Sequence, residues 1–383
     1  MNYPMDRRDI IVVGGGPAGV SAAKAAAMNG GEVLLLEKFP TIMANKPCGE
    51  AVSKETLQTA GVKPTPRIVM HEAYALVYSP SMIEIKIPQI GYNINKSFFI
   101  QEIAAQAAEY GADIHVREEV TGVKREDSKI VVKTNRETYE AKVVIGADGY
   151  NSTVARSLNI TEKPEPIPTV QYIMANCRLK HPDAVRFYLG NKIAPGGYAW
   201  IFPRSGRLAE VGIGVRGGVA KDYLDAFVAR FSDELGNARI LDYRGAPVPI
   251  GGAISESVFD NVMLVGDAAG HVIPLTGAGI HSSVSAGLAA GKVAAKAVAE
   301  GDTSKQRLSE FYNLYEGWLT RIKKSLKAMR AVEKLSDEEL DALARIFQAD
   351  DILDLANGFD IARVARKLLG HPVLAFKLAR QLL

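Results

Sequence analysis

The stretch that most constrains this chain is DIIVVGGGPAGVSAAKAAAMNGGEVLLLEK at 9–38. A short apolar run, Ile10 to Val13, breaks into Gly14-x-Gly16-x-x-Gly19. An alanine-rich helical segment follows, then a Gly30-Gly31 turn and a second apolar run ending at Glu37. GxGxxG alone is a weak signal. Here it follows a strand, opens a helix and has an acidic residue closing the next strand, which predicts a βαβ unit that binds a dinucleotide. The glycines bring the backbone close to a pyrophosphate at the helix N-terminus, where unpaired N–H groups and the dipole favour negative charge. Glu37 stands where ribose hydroxyls are held.

With 383 residues, 47% hydrophobic and 23% charged, the chain has an ordinary globular composition and room for a large enzyme fold with an inserted lobe. A net charge of +3, with no basic stripe interleaved with aromatics, excludes nucleic acid as the expected partner. The two cysteines, Cys48 and Cys177, form neither a CxxC motif nor a Cys/His cluster. That excludes a disulfide framework and a cysteine-rich metal site and fits a reducing compartment; no metal is expected. No secretory signal is visible, and no segment approaches the roughly 20 apolar residues that span a bilayer. A cytoplasmic protein is expected.

Two later segments say which dinucleotide. VVIGADGYNSTVAR (143–156) is an apolar strand entering Gly146-Ala147-Asp148-Gly149. NVMLVGDAAGHVIPLTGAGIHSSVSAGLAAGKVAAKAV (261–298) is another strand, then Gly266-Asp267, a glycine-rich loop and an alanine-rich helix. The three segments, in this order, resemble the FAD-binding signature of the p-hydroxybenzoate hydroxylase-type flavoproteins. The resemblance implies that Asp267 binds the ribityl–phosphate part of FAD and that the turn Thr276-Gly277-Ala278-Gly279-Ile280 faces the flavin. A further GxGxxG, Gly212-x-Gly214-x-x-Gly217, sits in an alternating run, the period of a half-exposed antiparallel strand, so no second nucleotide site is expected there.

The expected fold is α/β, of mixed α+β character. A Rossmann-like, discontinuous FAD-binding domain (1–70, 95–165 and 245–302) carries an antiparallel-sheet substrate lobe (71–94 and 166–244) and a C-terminal helical region (303–383). In the helical region Ser336-Asp-Glu-Glu339 reads as a capping box, and Gly358 and Gly370-His371-Pro372 read as helix stops. The last segment carries Arg363, Arg366, Lys367, Lys377 and Arg380 with no acidic residue. It reads either as an exposed helix pair or as peripheral contact with the inner face of the cell membrane.

Within the lobe, Tyr198-x-Trp200-x-Phe202-Pro203 followed by Val211-Gly212-Ile213-Gly214 resembles the substrate-lobe signature of the geranylgeranyl reductase family, as does Pro47-Cys48-Gly49-Glu50 with Ser53. The resemblance covers about 8–300. It implies reduced FAD saturating carbon–carbon double bonds of polyprenyl chains, as in archaeal-type membrane lipids or their precursors, with an isoprenoid lipid as substrate and NAD(P)H or ferredoxin as electron donor. The period of two puts Tyr198, Trp200 and Phe202 on one side of a strand, an aromatic wall suited to a long apolar ligand with the tyrosine hydroxyl as a polar handle.

The family places the cysteine loop at the flavin. An isolated alkene needs a proton at the carbon opposite the hydride, and a residue held beside the reacting carbons gains from positioning. Cys48 is the candidate for that proton, directly or through a water it orders, and Tyr198 the second catalytic candidate. The alternative for Cys48 is a packed structural thiol, the reading that fits Cys177 better. The binding set implied for FAD starts with Gly14, Gly16, Pro17, Ala18, Gly19, Glu37 and Lys38. It continues through Cys48, Gly49, Lys96, Val120, Asp148 and Gly149, and ends with Gly266, Asp267, Pro274, Gly277, Ala278, Gly279 and Ile280. The family pattern is departed from at Lys96, where arginine is usual, at Ile100, where aspartate is common, and at Val272-Ile273-Pro274, which lacks an acidic or amide residue. His281 is an unusual residue after the flavin-facing turn and a candidate proton relay. The competing readings are a monooxygenase or halogenase on the same fold, a quinone-linked electron-transfer flavoprotein, and a non-catalytic FAD- or lipid-binding protein.

Overall fold

The computed structural model describes residues 6–44, 46–126, 129–371, 377 and 378. Asp6–Val13 lies inside the first sheet because Ile10 to Val13 are apolar on both faces, the pattern of a parallel strand covered on both sides. It pairs in parallel with Val33–Glu37 and with Thr138–Gly146. The order across this sheet is Val258–Phe259, Val262–Leu264, Thr138–Gly146, Asp6–Val13, Val33–Glu37, Asp113–Val116. Val120–Glu126 and Lys129–Thr134 form an antiparallel ribbon paired to Thr138–Gly146. The chain moves outward in both directions from Asp6–Val13, and the crevice beyond the carboxyl ends of strands at such a switch point is where ligands bind.

The alanine-rich helices Pro17–Met28 and Ile280–Glu300 pack against each other over this sheet. Their contact depends on absent side chains. A Cβ at Gly287 would lie 2.1 Å from the Ala18 carbonyl oxygen, and one at Gly291 2.2 Å from that of Ala22.

The second sheet runs Arg239–Pro249, Pro166–Ala175, Leu208–Gly214, Tyr198–Ser205, Ala184–Tyr188, Val69–Tyr78, Glu84–Ile94, Ala51–Val52. All neighbours are antiparallel except Ala184–Tyr188 with Val69–Tyr78, which are parallel. This sheet also takes in Ala51–Val52 and continues to Pro249, residues that the sequence pattern assigns to the FAD domain. Leu208–Gly214 differs from its expected half-exposed character. Both faces from Ala209 to Gly214 are buried, because strands pair with it on both edges and residues pack on both sides. Its GxGxxG therefore begins in an antiparallel strand, with no helix opening at the third glycine.

The long helix Glu310–Val332 and the shorter Asp337–Ile346, Ala349–Asn357 and Ile361–Leu368 follow. The capping box forms: Ser336 Oγ accepts the Glu339 amide, and the Glu339 carboxylate accepts that of Ser336. Gly358 ends its helix in the left-handed conformation (φ 66°). Ile352 and Leu353 pack against the cluster that contains Trp200 and Phe202, so these helices cover the second sheet. Three basic residues of the last segment form ion pairs within the chain while staying partly exposed. Arg363 pairs with Asp351 and Asp354, Lys367 with Asp351, and Lys377 with Glu339. Arg366 faces solvent; Pro372 and Arg380 lie outside the described residues.

Candidate active site

One cavity of about 490 Å³ runs from the glycine turn at 14–16 to the second sheet. At its first end Gly14 has φ 100°, and a Cβ there would lie 2.5 Å from the Ala147 carbonyl oxygen, so glycine is required. Gly19 lies beneath: a Cβ would come 1.8 Å from the Gly14 carbonyl oxygen. Above Gly16 and Gly149 the space is open, with nothing within 4 Å of an added Cβ. Pro17 sits at the first position of its helix, whose unpaired N–H groups point into this space. Glu37 fixes the turn: one carboxylate oxygen accepts the Gly15 amide (2.7 Å) and the other that of Phe39 (2.8 Å). Asp148 accepts the Thr153 and Val154 amides on one oxygen, while its other, buried oxygen has no partner. An open glycine cradle at a helix N-terminus beside an orphaned acceptor fits a dinucleotide.

Gly266-Asp267 opens a short turn locked by a residue the sequence pattern did not single out. The Gly266 amide donates to His271 Nδ1 (3.2 Å), and the ring lies against Phe311 and Tyr315. Burial holds the His271 imidazole neutral, pushed down to about 3, so Nδ1 stays an acceptor. Asp267 forms an ion pair with Lys46 of the cysteine loop. The flavin-facing turn is closed by the Ile273 amide on Ala278 and the Gly277 amide on Ile273.

Tyr198, Trp200 and Phe202 line the other end, joined as expected on one face of Tyr198–Ser205. Successive ring centroids are 5.8 and 6.3 Å apart, and Phe187 backs Tyr198 and Phe202 edge-on. The Trp200 ring occupies the place of a Gly212 side chain, since a Cβ there would lie 2.2 Å from Cζ2. The Tyr198 hydroxyl is not a free handle. It donates to the Thr276 carbonyl, pinning the wall to the flavin-facing turn, and burial, followed by the Cys48 charge, pushes its pKa up. Cys48 also lines the cavity, with the Glu50 amide 3.5 Å from Sγ.

The model of the geranylgeranyl reductase catalytic domain matches residues 166–248, and that of the pyridine nucleotide-disulphide oxidoreductases matches 8–184. The chain is 37% identical to digeranylgeranylglycerophospholipid reductase 2 of Methanosphaera stadtmanae, over 91% of this chain and 93% of the relative. The chain belongs to the geranylgeranyl reductase family. A digeranylgeranylglycerophospholipid reductase of Methanocaldococcus jannaschii is 34% identical over 99% of both chains. Among solved structures, a geranylgeranyl bacteriochlorophyll reductase-like protein from Thermoplasma acidophilum superposes with a TM-score of 0.88, at 30% identity, over 98% of this chain and all of that one. A flavin-dependent brominase (TM-score 0.75, 18% identity, 96% and 98% covered) shares the fold.

In this family member the cavity collects nearly all the residues expected from the sequence. Lys38, Lys96, Val120, Pro274 and Ile280 line it beside those already described. Gly19 and Ala278 stand behind it, shaping backbone rather than lining. His281 is not among the residues that line the cavity: its Nε2 is 2.9 Å from Thr59 Oγ1, its ring packs on Trp318, and burial pushes it down to about 4. Cys177 is a buried structural thiol that donates to the Met174 carbonyl. Met329, Val332, Glu333 and Leu340 also line the cavity, from helices whose amphipathic pattern was the only sequence signal.

Proposed function

We propose that the chain is an FAD-dependent oxidoreductase that saturates carbon–carbon double bonds of geranylgeranyl groups on an isoprenoid lipid. One observation carries this reading: a single cavity joins a dinucleotide cradle to an aromatic wall, with Cys48 among its lining residues. The family's full-length relatives, named digeranylgeranylglycerophospholipid reductases, support geranylgeranyl chains as the group reduced.

Reduced FAD, when bound, supplies the hydride. The turn at 14–19 and the helix N-terminus at Pro17 would hold its pyrophosphate, Glu37 its ribose, and Asp267 with Lys46 its ribityl–phosphate part. Gly277 and Gly279, which line the cavity, would border the ring system. Tyr198, Trp200 and Phe202 take the polyprenyl chain and exclude water from it. Cys48 gives its S–H proton to the carbon opposite the hydride. Tyr198 holds the wall in register with the flavin-facing turn.

NAD(P)H or ferredoxin serves as the electron donor. No helix among the described residues is long and apolar enough to cross a membrane; a cytoplasmic protein that meets its lipid at the inner face of the membrane suits the substrate. The test is product mass. Dithionite-reduced protein incubated with a geranylgeranylated glycerophospholipid should yield lipid heavier in steps of two hydrogens, and unchanged lipid overturns the reading.

A further inference from the structure

We propose that Glu50 is the positioning residue for Cys48, and that Arg204 and Glu210 complete the triad of carboxyl and guanidinium groups that holds it in place. This rests on the reading of Cys48 as proton donor. Glu50 departs from ordinary backbone geometry: its φ is 59°, a left-handed conformation unusual for glutamate. Such a conformation persists only where the surroundings over-determine it.

Glu50 is held from several sides. Its carbonyl accepts the Ile94 amide (2.9 Å), and its carboxylate accepts the amide of Lys96 (3.3 Å) at the start of the Lys96–Glu109 helix. The same carboxylate oxygen lies 3.1 Å from Arg204 Nη2. Arg204 follows Phe202 on the same face of the aromatic strand and also binds Glu210 of the neighbouring strand. Glu50 and Glu210 are 6% and 1% exposed, so both carboxyl groups are out of water. The outcome of these contacts is the direction of one N–H group, that of Glu50, onto Cys48 Sγ. An amide aimed at sulfur fixes the thiol's rotamer.

The electrostatics agree. Burial raises the Glu210 carboxyl to about 8, with Glu50 adding to the rise and Arg204 and Lys96 opposing it. Burial also raises Glu50, against Arg204, Lys96 and Arg244. Arg204 also lies within electrostatic reach of Cys48, the smallest of the influences that act on it.

The test uses the full chain loaded with FAD. Glu50→Gln keeps the shape and removes the charge; Glu50→Asp keeps the charge. In Glu50→Gln, kcat for lipid reduction should fall about tenfold with KM within about twofold. Alkylation of Cys48 by iodoacetamide, followed on its peptide by mass spectrometry, should change at least about threefold in rate. Glu50→Asp should recover part of both. Wild-type kcat and alkylation in Glu50→Gln overturn the proposal. If that variant does not retain FAD, Arg204→Lys, which keeps charge but loses the planar fork, must show the same losses, and wild-type behaviour there overturns it. Alkylation involves no lipid, so Cys48 reactivity that follows Glu50 in a chain inactive on lipid overturns the proposed function alone.

Discussion

Gly49 and Phe202 meet through a missing side chain: a Cβ on Gly49 would stand 2.3 Å from Cε2 of the Phe202 ring. The cysteine turn is thereby seated directly on the aromatic wall. Gly49→Ala must displace either the ring or the turn, and overpacking of this kind costs about 1–3 kcal/mol. Urea unfolding should show that loss, and lipid turnover should fall about tenfold while FAD stoichiometry stays at wild type. Unchanged stability and turnover would mean that the turn is not seated as described.

Trp200 separates lipid binding from cofactor binding. Trp200→Ala removes the middle ring of the wall and leaves the cradle at 14–19 untouched. Lipid affinity should weaken about tenfold or more, and FAD affinity by less than about threefold. Equal loss of both would point to a folding defect.

Cys48 is tested by single turnover. A hydroxyl is a far weaker acid than a thiol, so Cys48→Ser should slow alkene reduction by about 10²–10⁴-fold with FAD still bound. An unchanged rate removes Cys48 from the chemistry.

His271 predicts a pH dependence of stability. Its folded pKa, about 3, lies below the unfolded value of about 6.5, so the unfolded chain takes up a proton first as pH falls. The stability it contributes is complete above pH 6.5 and lost on descending toward 3, by at most about 1.4 kcal/mol per pH unit. His271→Asn keeps an acceptor for the Gly266 amide and abolishes the titration. Urea melts at pH 6.5, 5.5 and 4.5 should show a shallower acid slope for the variant; parallel slopes would contradict a neutral buried imidazole.

The features legible in the sequence are those set by local pattern. Gly14, Gly16 and Gly19 announce their turn by spacing alone, and the period of two at Tyr198, Trp200 and Phe202 places them on one face before any partner is known. Features set by distant partners were not legible. Glu210 alternates with apolar residues and reads as solvent-facing; it is buried because Arg204 of the adjacent strand meets it. The basic last segment reads as a free cationic surface until Asp351, Asp354 and Glu339 are seen beside it. Met329 and Leu340 reach the cavity only because their helices fold back over the second sheet. His281 follows the flavin-facing turn in sequence, yet the helix turns its side chain toward Thr59 and Trp318.

The central claim is that the aromatic-walled end of the cavity delivers an isoprenoid double bond to reduced flavin. The most direct measurement mixes reduced, FAD-loaded protein with a geranylgeranylated glycerophospholipid in an anaerobic stopped-flow. Flavin reoxidation that saturates with lipid concentration, with one double bond lost per flavin oxidised, is the predicted result. Reduced flavin that persists until oxygen is admitted would contradict it and assign the site to an oxygen-using reaction.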